Sequence, residues 1–185
     1  KLTNALRYNT ANGASFTNSN YGGTCVVVSG AYARLEGWQW SGTGGSSAGF
    51  WVSSATASLK NLILKSSGSA FMLTVTADAL LENILLLAAG NGVTFDVTAT
   101  MTGATVVRTG STGGTGIRRY GGSPIVKNCA CIGFSTDYSG TASASSSNNA
   151  TDKGSFGGTN FGGSGQVSLS SADFENLSSG TEDLR

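Results

Sequence analysis

Three carboxylates in the middle of the chain, Asp78, Glu82 and Asp96, are the residues best suited by type and spacing to acid–base chemistry. Hydrolysis of a glycosidic bond requires two carboxyl groups, either about 5.5 Å or about 6.5 to 9.5 Å apart. A polysaccharide-cleaving enzyme would therefore draw its catalytic pair from these three residues. No single pair stands out, and Asp137 lies far along the chain, so the sequence favours a protein without a catalytic centre.

Other catalytic chemistries lack the residues they need. The chain has no histidine, which excludes a Ser-His-Asp triad and removes the commonest transition-metal ligand. A polysaccharide lyase would need clustered acids opposite an arginine. Arg118 and Arg119 are present, but no such cluster accompanies them, and we expect both to be outward or edge residues. The sequence predicts no metal site and no cofactor.

The three cysteines, Cys25, Cys129 and Cys131, do not suggest a disulfide framework. An odd number leaves at least one thiol unpaired, and residues two apart on one strand are poorly placed to bond each other. Cys129 and Cys131 fall at inward-facing strand positions. We expect both to be small core residues rather than metal ligands, because a second pair of ligands is missing.

Tryptophan offers a different kind of site, since aromatic faces stack on sugars as well as filling cores. Trp38 and Trp40 fall at inward-facing positions, and we expect both to fill the core. Trp51 lies between Phe50 and Val52 and is predicted by alternation to point outward. Trp51 is therefore the best single candidate for a binding contact.

The elements that would position these residues are defined by a repeat of 21 to 24 residues. One part of the repeat reads apolar, any residue, Gly or Asn, apolar, any residue, apolar, as in residues 59–64 and 81–86. Gly and Asn tolerate the left-handed backbone of a corner between strands. The third positions predict the corners, at Gly37, Asn61, Asn83, Thr105 and Asn128. A second series opens a further strand in each coil, at residues 26, 50, 71, 93 and 117.

The repeat predicts an all-β fold, a single-stranded right-handed parallel β-helix of about five coils, with strands stacked about 4.8 Å apart. Residues 77–89 are rich in Ala and Leu and favour a helix on propensity alone. The equivalent residues of the next coil include Val106 and Val107, which argues against that alternative. The same stacking gives Glu82 a structural interpretation, in a charged ladder with Glu36 and Lys60.

The sequence predicts one domain in three parts. Residues 1–138 form the β-helix, 139–165 a Ser/Gly-rich loop, and 166–185 a C-terminal strand and cap, with Phe174 and Leu177 covering the end of the stack. The net charge of +1, without a basic run, argues against binding of nucleic acid. The longest strongly apolar run, residues 84–89, is too short to span a bilayer, so we expect no membrane insertion.

Three segments resemble a loosely defined set of phage and prophage proteins with a pectin-lyase-like right-handed β-helix. They are residues 4–13 (NALRYNTANG), 125–134 (IVKNCACIGF) and 162–176 (GGSGQVSLSSADFEN). The resemblance covers most of the chain, but its motifs are structural and mark no active site. It implies a virion setting, commonly a spike, fibre or decorating protein at the particle surface.

The leading hypothesis is a non-enzymatic structural protein of a bacteriophage particle surface. Its expected partners are copies of itself, with a trimer favoured, and other virion proteins, and a host surface glycan remains open as a further partner. Two alternatives stay open: a tailspike-like polysaccharide depolymerase, and a secreted bacterial adhesin of the same fold. The expected location is the virion surface.

Overall fold

The computed structural model describes residues 15–18, 26–30, 32–42, 49–68, 71–110, 113–153, 155–162, 165 and 167–169. Regular structure within these residues is entirely β. The strands, in chain order, are β1 (Ser15–Asn18), β2 (Val26–Val28), β3 (Arg34–Glu36), β4 (Gln39–Gly42), β5 (Phe50–Val52), β6 (Ser58–Ser66), β7 (Phe71–Val75), β8 (Leu80–Ala88), β9 (Asn91–Phe95), β10 (Thr100–Thr102), β11 (Thr105–Arg108), β12 (Thr115–Arg119), β13 (Ile125–Lys127), β14 (Ala130–Ile132), β15 (Thr136–Ser139), β16 (Ala150–Thr151) and β17 (Val167–Ser168).

The strand pairings are parallel, and each joins residues about one repeat apart. Leu59 lies beside Leu81, for example, and Leu81 beside Met101. The pairing order is β1-β4-β6-β8-β11-β14-β16-β17 in an 11-stranded sheet and β15-β12-β9-β7-β5-β2 in a 6-stranded sheet. The fold is a right-handed parallel β-helix of about five coils, which confirms the predicted fold class.

Each coil presents three faces. The first face carries β3, β10, β13 and the first halves of β6 and β8. The second face carries β1, β4, β11, β14, β16, β17 and the second halves of β6 and β8. The third face is the 6-stranded sheet. Residues 77–89, for which a helix was the alternative, contain β8, so the helical alternative is wrong.

Alternate strand residues point inward and stack into columns that fill the interior. The column behind the first face comprises Leu59, Leu81, Met101 and Val126, all buried. The column behind the third face comprises Phe50, Leu73, Val93, Ile117 and Tyr138, also buried. Burial of each large apolar side chain stabilises the fold by about 1.5 to 3 kcal/mol. Phe71, predicted to align with Val93, lies instead beside Asn91.

The corner between the first and second faces has a left-handed backbone, with φ between 52° and 71° at Gly37, Asn61, Asn83, Gly103, Asn128 and Asn148. The prediction of a corner at Thr105 is wrong. Met101 pairs with Leu81, so the fourth repeat is residues 101–106 and Thr105 lies within β11. A β-branched threonine is disfavoured at positive φ, whereas glycine adopts it without a steric penalty. The other four predicted corners are confirmed.

The stack continues into residues 139–165, which were expected to form a loop. β16 pairs with β14. β17, which lies within the predicted C-terminal segment 166–185, pairs with β16. Three inner positions of this coil are polar, and Ser146, Asn149 and Thr151 are buried there beside the apolar Ala142 and Phe161. The Asn149 amide donates to the carbonyls of Val126 at 2.8 Å and Phe161 at 2.5 Å, and accepts from the Cys129 N–H at 2.9 Å.

A second apolar cluster lies on the outer side of the second face. It comprises Ile63, Leu85, Leu87, Val107 and Ile132, with Ala130 and Leu169 packed against it. Phe174 and Leu177, predicted to cap the stack, lie outside the described residues. Among the residues that are described, no helix is long and apolar enough to cross a membrane.

Candidate functional site

The three carboxylates singled out for catalysis occupy two different environments. Asp78 lies exposed in the turn between β7 and β8. Asp96 lies in the turn after β9, where its N–H donates to the Val75 carbonyl of the preceding coil. Glu82 lies on β8 and forms an ion pair with Lys60. The described part of the chain contains no group of three His, Cys, Asp or Glu side chains that could hold a metal ion.

The structural interpretation of Glu82 is confirmed. Glu36, Lys60 and Glu82 lie side by side on the outer side of the first face, in successive coils. The Asn61 amide donates to the Glu36 carboxylate at 3.0 Å, which ties the ladder to the corner. An exposed ion pair of this kind contributes well under about 1 kcal/mol to the free energy of unfolding.

The two arginines considered for lyase chemistry make contacts within the protein. The Arg118 guanidinium lies 5.8 Å from the ring centroid of Phe71 and 5.2 Å from that of Tyr120. Arg119 donates from Nε to the Gly122 carbonyl at 2.8 Å. Both residues are half-buried on the third face, consistent with their predicted position.

Cys129 and Cys131 point into the core, as predicted, and both thiols are free. Burial raises the pKa of the Cys129 thiol to about 12, and burial with the nearby Asp137 charge raises the pKa of Cys131 well above its usual value. The thiolate is the reactive form of cysteine. Neither residue therefore serves as a nucleophile at neutral pH.

Two of the three tryptophan predictions are confirmed. Trp40 is buried and meets Phe50 edge-on, with ring centroids 5.4 Å apart. Trp51 points outward, is 42% exposed, and donates from Nε1 to the Thr76 hydroxyl at 2.8 Å. Trp38 was predicted to fill the core, but it is 38% exposed. It is the first described residue of its inner column, and Leu62 is its counterpart in the following coil.

The most strongly perturbed acid lies inside the C-terminal end of the solenoid. Asp137, on β15, is only 1% exposed, and its Oδ2 accepts a hydrogen bond from the Thr151 hydroxyl at 2.5 Å. Burial and a hydrogen bond with the Asp152 carboxyl raise the pKa of Asp137 to about 7. Asp137 Oδ1 and Asp152 Oδ1 are both buried, and no donor from the described residues bonds to either atom. Asp137 therefore holds its proton more tightly than an ordinary aspartate does.

Asp152 connects this carboxyl pair to the surrounding backbone. Its Oδ2 accepts from the Gly133 N–H at 3.1 Å and forms an ion pair with Lys153 at 3.5 Å. Paired carboxyl groups catalyse hydrolysis in aspartic proteases, where substrate reaches both acids. The solenoid encloses Asp137, so its carboxyl group is not open to a substrate. Its role is structural, because it connects β15 to β16 through Thr151.

A groove with a volume of about 430 Å³ lies on the outer side of the first face, at the N-terminal coils. Its lining includes Tyr32, Arg34, Glu36, Thr56, Ser58 and Lys60. Strand register places Arg34 beside Ser58 and Glu36 beside Lys60. Tyr32 stands at the side of the groove with 78% of its surface exposed. This groove is the candidate binding site.

Sequence reasoning did not find the groove or the carboxyl pair. Alternation on β3 would have placed Arg34 on the same outer side as Glu36, so a signal for Arg34 was present. Tyr32 precedes the strand, and its exposure depends on the turn. Asp137 and Asp152 meet only because successive coils stack, and no local pattern marks that contact.

No known protein family, curated protein or solved structure matches this chain. The fold defines its class as a parallel β-solenoid. Fold class alone does not determine function, which has to be argued from the sites.

Proposed function

We propose that this chain is a non-enzymatic structural protein at the surface of a bacteriophage particle, as a decoration, fibre or spike component. The phage setting rests on the resemblance of residues 4–13, 125–134 and 162–176 to phage and prophage β-helix proteins. The observation that carries the structural role is the filled interior. Inner columns of buried side chains run along the stack, and the strongly perturbed groups Asp137, Cys129 and Cys131 are enclosed within it.

A rod of stacked coils suits a mechanical role because each coil is hydrogen-bonded to the next along its length. The proposed partners are other copies of the chain, as a trimer, and neighbouring virion proteins. Val27 and Trp51 support contact between copies, since they lie side by side on the outer third face and are 54% and 42% exposed. Contact with a second copy would remove this apolar surface from water.

Immunogold labelling of intact virions from a phage that encodes the chain tests the proposal. We expect gold at a defined position on the particle surface, with labelling of unlysed host cells at background. Gold on bacterial cells, with bare particles, would favour the secreted adhesin and contradict the virion location.

A turnover assay on host capsular polysaccharide tests the non-enzymatic part of the proposal. We expect no release of shorter oligosaccharides by the purified chain. Measurable cleavage that is lost in Asp78→Asn, Glu82→Gln or Asp96→Asn would establish the depolymerase instead. Lys127→Gln, on the same first face, is the control for a change of surface charge.

A further inference from the structure

The outer side of the second face is buried, unlike the outer sides of the other two faces. On the first and third faces, outward residues such as Lys60, Glu82 and Trp51 keep more than a third of their surface exposed. The five large aliphatic residues of the outer second face are only 0% to 4% exposed: Ile63, Leu85, Leu87, Val107 and Ile132. They alternate along their strands with residues of the interior, so the interior does not bury them. The surface that covers them belongs to the chain itself.

Leu169 is the point at which the described chain packs onto this outer cluster. Its N–H donates to the Thr151 carbonyl at 2.8 Å, and its side chain contacts the cluster. The pairing order β6-β8-β11-β14-β16-β17 places Leu169 about 24 Å along the stack from Ile63. Leu169 therefore covers one end of the cluster, and the other end needs a further segment.

Residues 170–185 follow Leu169 directly and contain the side chains that such a cover needs. Phe174, Leu177 and Leu184 are large and apolar. A chain rises about 1.5 Å per residue in a helix and about 3.3 Å per residue in a strand. A segment of this length therefore reaches from Leu169 across the whole cluster in either conformation.

Charge favours this segment over residues 1–14, which precede β1 on the same face. Lys65 lies beside Leu87 in the outer row, at the β6 end of the cluster. Residues 170–185 carry four acidic residues and one basic residue, whereas residues 1–14 carry two basic residues and no acidic one. Opposite charges attract more strongly beside an apolar surface than in bulk water, and like charges repel.

We propose that residues 170–185 fold back along the outer second face and seal its apolar cluster, with Phe174 and Leu177 packed on the side of the stack rather than on its end. The acidic residues of the segment then lie towards Lys65. Sealing removes the cluster from water and leaves the first and third faces for contacts with other proteins. The inference goes beyond the proposed structural role and does not depend on whether the rod belongs to a virion.

Photo-crosslinking of the full chain tests where the segment lies. Phe174→p-benzoylphenylalanine keeps an aromatic ring at this position, and irradiation joins it to side chains in contact. We expect cross-links within one chain to peptides of β8, β11 and β14, identified by mass spectrometry. Cross-links confined to the first or third face, cross-links only between copies, or no cross-links would each overturn the proposal.

Two further positions serve as controls for the cross-linking. The same group in place of Tyr120, which is 69% exposed after β12, should not reach β8, β11 or β14. The same group in place of Leu6 tests residues 1–14. Cross-links to these three strands from position 6 and not from position 174 would assign the cover to residues 1–14 and contradict the proposal.

A pair of substitutions measures the contact through stability. Leu87→Ala and Phe174→Ala should each lower the urea midpoint, and the double variant should lose less than the sum, because both changes remove the same contact. Val27→Ala, on the outer third face, is the control, and its effect should add to that of Phe174→Ala. Strict additivity of Leu87→Ala and Phe174→Ala would contradict the contact.

Loss of the cover should expose the cluster. In a chain that carries both Phe174→Ser and Leu177→Ser, and that keeps its β-sheet circular dichroism, we expect the fluorescence of bound anilinonaphthalene sulfonate to rise severalfold. The larger apolar surface should also cause self-association that increases with concentration, measured by light scattering. Tyr120→Ser is the control and should raise neither signal. Dye binding equal to that of the wild type in the folded double variant would overturn the proposal.

Discussion

Asp137 is a buried acid that keeps its proton to unusually high pH. Its carboxyl group lies against Thr151 and Asp152, with the charge of Lys153 and the Cys131 thiol nearby. A second negative charge in this enclosed space would repel the first and remain poorly solvated. Asp137 joins β15 to β16 through its hydrogen bond with Thr151, and deprotonation of Asp137 places an unfavourable charge at this connection.

The raised pKa of Asp137, about 7 against an ordinary 3.8, makes stability depend on pH. Between these values the folded chain binds a proton that the unfolded chain has released, so the free energy of unfolding falls as pH rises. We expect a decrease of about 4 kcal/mol between pH 4 and pH 8 from this group. Urea unfolding at a series of pH values measures it.

Asp137→Asn is the control for this pH dependence. Asparagine retains an oxygen that accepts from Thr151 and an amide that donates to Asp152, but it does not titrate. The variant should show a flatter stability profile than the wild type from pH 4 to pH 8. A profile that keeps its slope in the variant would assign the pH dependence to another group.

The buried thiols give a second prediction at the residue scale. Because burial raises the pKa values of Cys129 and Cys131 and excludes reagent, we expect both to resist iodoacetamide in the folded protein at pH 8. Both should react fully in urea. Peptide mapping by mass spectrometry follows each site, and rapid labelling of either residue without denaturant would contradict its enclosed position.

At the scale of elements, the corner decides how one coil follows the next. The Asn83 amide donates to the Asn61 side chain at 2.7 Å, and Asn61 donates in turn to Glu36. Gly103 interrupts this ladder between Asn83 and Asn128. Its φ of 66° suits asparagine, and a Cβ there would have the Asn83 nitrogen at 3.9 Å as its nearest neighbour.

Gly103→Asn should therefore stabilise the protein by about 0.5 to 1 kcal/mol, through a less flexible unfolded chain and a continued ladder. Gly103→Val should destabilise it by about 1 to 2 kcal/mol, because a β-branched residue is strained at this φ. Urea midpoints at constant slope measure both changes. Destabilisation by asparagine equal to that by valine would contradict the ladder.

At the scale of the whole molecule, stability should vary along the rod. β8 pairs with β6 on one side and with β10 and β11 on the other, whereas β17 pairs only with β16 among the described strands. In a solenoid each coil is stabilised mainly by its neighbours. We expect amides of β6 and β8 to exchange with deuterium most slowly and those of β16 and β17 much faster. Uniform exchange along the chain would contradict this gradient.

Much of the fold was predictable because each coil repeats the same short pattern of residue types. Asn61, Asn83 and Asn128 mark corners by residue type, and inward apolar residues such as Leu59 and Leu81 recur at the same offset. The pattern misplaced one corner because residues 103–108 partly imitate the repeat of 101–106. The predicted β-helix ended too early, at residue 138, because Ser146, Asn149 and Thr151 fill inner positions that are apolar in earlier coils.

The sequence by itself determined the class of fold, the period of the coils and the inward direction of Cys129 and Cys131. These follow from alternation and from the backbone preferences of single residues, which act locally. The tertiary structure decided which residues meet across coils. The contact between Asp137 and Asp152, and the groove in which Thr56 and Ser58 lie beside Tyr32 and Arg34, exist because stacking brings residues of successive coils together.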